Sequence, residues 1–112
     1  MTSMLNAYAM RTTYYSVQIT QRAREENDNI IAYLAQERPS AAAKHILAFK
    51  EQIARLHWLP ARFPKIRERF RNRRTYRHVL FNDRYRLVFR IQRREVIVLR
   101  VLHQAQLLIE LE

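Results

Sequence analysis

The sequence predicts an α+β fold of order β-α-α-β-β-β, with a helical hairpin packed on one face of a small, mostly antiparallel four-stranded sheet. Three observations lead to it. Residues 21–56 carry apolar side chains at three- and four-residue spacing, in two runs parted by Pro39. A short segment of period two precedes them. Residues 76–103 hold three strand-like apolar segments, separated only by short polar turns.

The first strand is "YYSVQI", with Tyr15, Val17 and Ile19 on one side and Tyr14, Ser16 and Gln18 on the other. Thr20 stands as the N-cap of the first helix. Ala23, Asn27, Ile30 and Leu34 form its inward stripe, and Glu25, Glu26 and Asp28 sit toward its positive end. That helix closes near Arg38, because Pro39 cannot continue it. Ser40 is expected to cap the next helix, whose apolar stripe is Ala42, Ile46, Phe49, Ile53 and Leu56. Pro60 and Pro64 end it, and "ARFPKIRERFRNRRT" reads as an irregular crossing with one helical turn. Then come "YRHVLF", a turn at Asn82 and Asp83, and "RYRLVFRI"; both turn residues tolerate positive φ. A second turn around Gln92, Arg93 and Arg94 leads into "EVIVLRVLH", residues 95–103. Nearly every position from Val96 to Leu102 is apolar, as in a strand at the middle of a sheet. No glycine occurs, so tight turns must rely on Asn, Asp, Gln or Arg.

At 112 residues the chain suits one domain, taken as residues 14–112. Residues 1–13 are a candidate flexible extension, in which Met10 offers an alternative start. The lack of cysteine excludes disulfide scaffolds, thiolate zinc sites and cysteine nucleophiles, and fits a reducing compartment. The cytoplasm is the expected location. The N-terminal stretch lacks the pattern of a secretory signal, and no segment approaches the ~18 apolar residues of a membrane span. Net charge is +11. Between Arg62 and Arg94 stand thirteen Lys or Arg against two acids, whereas the remainder holds eight of each, so that segment carries the whole excess. Such a patch suits nucleic acid or an acidic protein.

Alternation along residues 84–91 sets Tyr85, Leu87, Phe89 and Ile91 toward the helices, and Arg84, Arg86, Val88 and Arg90 toward the other face, expected to be open. Arg77 and Arg100 join that face if the register allows. An arginine-bearing sheet face suits phosphate backbones or acidic partners; the alternative is a solvated face, since exposed arginine is common. His103 shares a face, by alternation, with Ile97, Leu99 and Val101. A histidine so placed more often bonds a nearby carbonyl than catalyses, and His78 is similar. With His45 and His57 on the second helix, no spacing assembles three metal ligands, and neither a metal nor a cofactor is expected. Glycine-rich phosphate loops are impossible, and neither Ser16 nor Ser40 stands in a nucleophile elbow.

Across residues 15–104 the sequence resembles the ParE/RelE superfamily of toxins from type II toxin–antitoxin systems. The resemblance is carried by Ala23, Glu26, Ile30 and Tyr33 in the first helix, by Leu56 with Pro60, and above all by "YRLVFRI" followed by "VIVLRVLHQ". It departs at Asn27, a position usually apolar, in the missing glycines, and in "HQAQ" where His-Gly-x-Arg-Asp is commoner, so no terminal arginine function is carried over. The resemblance implies a toxin neutralised by a cognate antitoxin from an adjacent gene, with the RelE/ParE-like fold. ParE-like members poison DNA gyrase without catalysis; here Arg77, Arg84, Arg86, Arg90, Arg100 and His103 are the expected target-binding residues. RelE-like members are enzymes that cut mRNA on the ribosome, which would make Arg86, Arg90, Arg100 and His103 the catalytic candidates. The long paired helices, the "VLRVLH" ending and the lack of a compact Lys/Arg/Tyr cluster favour the ParE side. A non-toxic basic nucleic-acid-binding module is the third alternative. An acidic antitoxin segment is expected to use strand edges or the groove beside the helices. Replacing Arg86, Arg90 and Arg100 by alanine is expected to abolish toxicity with little loss of stability.

Overall fold

The chain runs β1 (Ser16–Ile19), α1 (Gln21–Glu37), α2 (Pro39–Leu56), a 3-10 turn (Pro60–Arg62), β2 (Arg77–Phe81), β3 (Tyr85–Gln92) and β4 (Glu95–His103). This computed structural model describes residues 14–106, 108 and 110–112, so the expected N-terminal extension lies outside the described residues. The sheet order is β1-β4-β3-β2, with β1 parallel to β4 and the other pairs antiparallel. β4 therefore lies inside the sheet, as its apolar composition requires.

Thr20 caps α1, its Oγ1 accepting from Ala23 N at 3.2 Å. Arg38 precedes a proline and is pushed into extended backbone (φ −166°, ψ 120°), so it ends α1 and begins α2 at once. Pro39 occupies the first helical position, where its missing N–H has no cost. Ser40, expected as the cap, lies inside the helix.

Hairpin turns form where expected, although without glycine. Asn82 and Asp83 take φ of 48° and 65°, and Arg93 takes 56°. Leu59 (φ 44°) and Arg73 (φ 59°) were not foreseen. For Leu59 the left-handed conformation costs about 1–2 kcal/mol, and it is what turns the chain out of α2 into Pro60.

Between α1 and α2 the apolar stripe is rotated from expectation. Ile46 is 38% exposed, whereas His45 is fully buried. The cause is a polar chain: His45 Nε2 donates to Asn27 Oδ1 at 2.8 Å, and Asn82 Nδ2 donates to His45 Nδ1 at 2.9 Å. Asn27, out of place as a lone polar residue on an inward stripe, is thus the partner of a histidine on the next helix. Both ring nitrogens are satisfied only in the neutral imidazole. Burial accordingly holds the His45 pKa below its ordinary 6.5. A base with a depressed folded pKa leaves the unfolded chain binding more protons, so its contribution is complete above pH 6.5 and is lost as pH falls through that value toward the folded one. Burial, followed by the Arg86 charge, lowers the His78 pKa too, with the same sign. Unfolding free energy is therefore expected to fall as the medium is acidified below pH 6.5, and His45→Gln to flatten that slope in chemical denaturation at a series of pH values. An unchanged slope would mean that His45 does not carry it.

One core layer joins Leu87, Phe89, Val96, Val98 and Val101 to Ala23 and Leu56 under the helices. A second layer, on the opposite face, joins Val88, Leu99 and Leu102 to Tyr76, Leu108 and Leu111. A β-bulge makes β4 serve both. Val88 pairs with Arg100 and Phe89 with Val98, leaving Leu99 without a partner on β3. Beyond that point alternation is reset: His103 pairs with Tyr85 on the helix-facing side, not on the side of Ile97 and Leu99 as simple alternation required.

Candidate target-binding surface

The sheet face expected to be open is covered. Residues 66–76 lay Ile66, Phe70 and Tyr76 across it, and the C-terminal tail adds Leu108 and Leu111. Both segments bring carboxylates to the arginines. Arg86, 6% exposed, sends both terminal nitrogens to the Glu68 carboxylate, and its Nη1 also lies 3.5 Å from His78 Nδ1. That hydrogen bonding holds the Glu68 carboxyl below the usual range. Arg86 Nε is buried with no partner among the described residues. Arg90 donates from Nε to Glu112 Oε1 at 2.9 Å. Burial alone would raise the Glu112 pKa, but hydrogen bonds from Tyr76, Arg90 and Arg74 outweigh it and lower it.

Arg100, 7% exposed, makes the most extensive pair. Its Nε lies 3.0 and 2.9 Å from the two Glu26 oxygens, its Nη2 2.8 Å from Oε2, and its Nη1 donates to Glu110 O at 2.7 Å. Glu26 Oε1 also accepts from Val101 N at 3.1 Å. The reason lies in the register: β1 pairs only with Glu95 to Val98, so β4 presents bare backbone beyond that point. Residues at the start of α1 occupy it, with Thr20 N donating to Val98 O and Glu26 taking the next amide. Glu26, quoted for the family resemblance, is thus the residue that closes this sheet edge.

The six nominated residues do not form one cluster. Arg86 and Arg100 are neutralised inside the second layer. Arg77 lies by alternation on the same side as Val79 and Phe81, and its Nη1 donates to Phe63 O at 2.7 Å. Arg90 stands four positions along β3 from Arg86, roughly 13 Å away. Arg84 is exposed in the turn. His103 is also exposed at the strand end, where its Nδ1 accepts from Ala105 N at 3.1 Å. The expectation that Arg86, Arg90 and Arg100 present charge outward on an open face is therefore corrected, because the arginines need counter-charges once the face is buried. Their combined replacement by alanine is accordingly no longer expected to spare stability.

Exposed charge is found instead on the crossing segment. Residues 62–74 hold seven basic residues and one acid, Glu68. The segment is an Ω loop, closed where Ile66 N donates to Tyr76 O at 3.0 Å and Lys65 bridges Arg77. Phe70 meets Tyr76 edge-on with centroids 5.7 Å apart, and Asn72 Nδ2 donates to Tyr76 Oη at 2.7 Å. With Ile66, Phe70 and Tyr76 turned inward, Arg67, Arg69, Arg71 and Arg73 are exposed, and none forms an ion pair with another described residue. The charge count between Arg62 and Arg94 is the sequence signal for this segment, and its lack of a regular apolar period is why the count does not say which of its arginines are exposed. Beside the loop lies an open groove lined by Arg67, Glu68, His78, Leu80, Arg86 and Gln104 through Gln106.

On the helical side, a smaller groove between α1 and α2 is lined by Ile19, Ile31, Ile46 and Phe49. Among the described residues no helix is long and apolar enough to cross a membrane, and no group of acids and histidines could hold a metal ion.

The model of a family described as ParE toxin of type II toxin-antitoxin system, parDE, matches residues 17–108. Among solved structures, the chain is similar to one titled "Chromosomal ParDE TA system from P. aeruginosa", with a TM-score of 0.64 and 20% identity over 80% of this chain and 96% of that one. At that identity the likeness speaks for the fold. No curated protein sequence matches the chain.

Proposed function

We propose that this chain, which belongs to the ParE toxin family of type II toxin–antitoxin systems, arrests growth by binding DNA gyrase in the cytoplasm and blocking its catalysis, and is held inactive by a cognate antitoxin. The observation that carries the reading is the extent of the family match, which runs from β1 through β4 into the tail and so spans the whole sheet and hairpin. Geometry supports the non-catalytic form. Cleavage of RNA at a 2′-hydroxyl needs a base, a cation and an acid converging on one phosphate. Arg86 and Arg100 are instead engaged by carboxylates, and His103 belongs to the opposite face.

The antitoxin fits the helical side. Ile46, exposed at 38%, lines the groove between α1 and α2 together with Ile31 and Phe49. An amphipathic segment laid there gains apolar anchors. Acidic residues on it are attracted by a chain of net charge +11.

Supercoiling of relaxed plasmid by gyrase tests the reading. Inhibition rising with the concentration of the purified chain, and relieved by the protein of the adjacent gene, is expected. Undiminished supercoiling together with ribosome-dependent mRNA cleavage would replace this reading by the endonuclease one.

A further inference from the structure

We propose that the Ω loop of residues 66–76 and the groove beside it bind a single strand of nucleic acid, with phosphates on the loop arginines and one unstacked base in the groove. The inference does not depend on gyrase being the target. It begins from the division of charge. The sheet-face arginines are matched by Glu26, Glu68 and Glu112, whereas the loop places four exposed arginines without an ion pair to a described residue, Arg67, Arg69, Arg71 and Arg73, at alternate positions of one short segment. Arg67, Arg69, Arg71 and Arg73 stand on a backbone pinned by the Ile66–Tyr76 hydrogen bond, by the inward rings of Phe70 and Tyr76, and by Asn72, whose Oδ1 accepts from Arg74 N at 3.0 Å. The loop is thus preorganised, and little of its order has to be established on binding. All four are arginines, whose planar guanidinium pairs with phosphate through two bonds and stacks on bases, as lysine does not.

The groove has a different chemistry from the loop. Leu80, 54% exposed, and Ala105 give it an apolar wall. Gln104 and Gln106 offer amides that both donate and accept. Burial, followed by the Arg86 charge, lowers the His78 pKa below its ordinary value, and its Nδ1 lies 3.5 Å from Arg86 Nη1. Glu68 already occupies Arg86 and makes the groove unfavourable for a second anion. An apolar wall, neutral polar groups and a fixed carboxylate suit the flat face and amide-like edge of a base, not a phosphate or the acidic side chain of a peptide. A base can reach such a recess only when unstacked, which selects single strands over duplexes.

Fluorescence anisotropy of a labelled single-stranded oligonucleotide and of its duplex, each titrated with the full chain over a salt series, tests the proposal. The single strand is expected to bind at least about tenfold more tightly. The variant carrying Arg67→Ala, Arg69→Ala, Arg71→Ala and Arg73→Ala is expected to weaken binding to both, and to lower the salt slope by about 0.7 for each phosphate contact removed from the single strand. Leu80→Ala with Gln104→Ala is expected to keep the salt slope and lose the preference for the single strand. All these side chains are exposed, so circular dichroism and thermal melting of the variants should match the parent. Equal affinity for strand and duplex in the parent, or an unchanged salt slope in the four-arginine variant, would overturn the proposal. Binding without inhibition of gyrase would count against the proposed target alone.

Discussion

Arg100→Ala is expected to lower the unfolding free energy by about 3–5 kcal/mol in urea denaturation, a large part of the stability of a domain this size. The Arg100 side chain is 9% exposed and its partner Glu26 21%. Removing the guanidinium leaves a carboxylate in the second core layer with one backbone amide for company, and it frees Glu110 O from its donor. The loss includes the cost of an unpaired charge as well as the pair itself, which is why it exceeds that of surface bridges. Arg22→Ala provides the contrast, since Arg22 and Glu110 are 45% and 68% exposed and such pairs contribute about 0–1 kcal/mol. An Arg100→Ala loss no greater than that of Arg22→Ala would contradict the account of this face as a buried layer. The combined replacement of Arg86, Arg90 and Arg100 is expected to unfold the chain, so loss of toxicity in that variant would say nothing about target contact.

Leu99→Ala is expected to destabilise by about 2–5 kcal/mol, as a core truncation that leaves a cavity. Leu99 is 4% exposed and packs in the second layer beside Leu102, Leu108 and Leu111. It is also the unpaired residue of the bulge, so its backbone adds little to the sheet and its side chain supplies most of what it contributes. A loss below about 1 kcal/mol, the range of a volume-conserving exchange, would mean that the tail does not close over this side chain.

Much of this architecture was legible because local chemistry and packing agree. Thr20 caps a helix wherever it precedes such a run, Pro39 must open one or close one, and Asn82–Asp83 accept the positive φ of a hairpin. What escaped the sequence depends on contacts between distant residues. The bulge at Leu99 changes which face His103 shares, and nothing in "VLRVLH" marks the extra residue. Asn27 and His45 each look anomalous alone and become intelligible only as a pair eighteen residues apart. The fate of the sheet arginines turned on acids that carry no pattern of their own: Glu26 on α1, Glu68 as the sole acid among seven basic neighbours, and Glu112 in the tail. Counting charge located the basic segment correctly, whereas alternation alone could not say which of its cations were already spoken for.

The measurement that bears most directly on the placement of function is the gyrase supercoiling titration, run with the parent chain beside the variant carrying alanine at Arg67, Arg69, Arg71 and Arg73. The parent is expected to inhibit, and the variant, with an unchanged melting temperature, to need at least about tenfold more protein for the same inhibition. Equal inhibition by the two would contradict the claim that the exposed arginines of the Ω loop, and not those buried in the sheet, are the cations that meet the target.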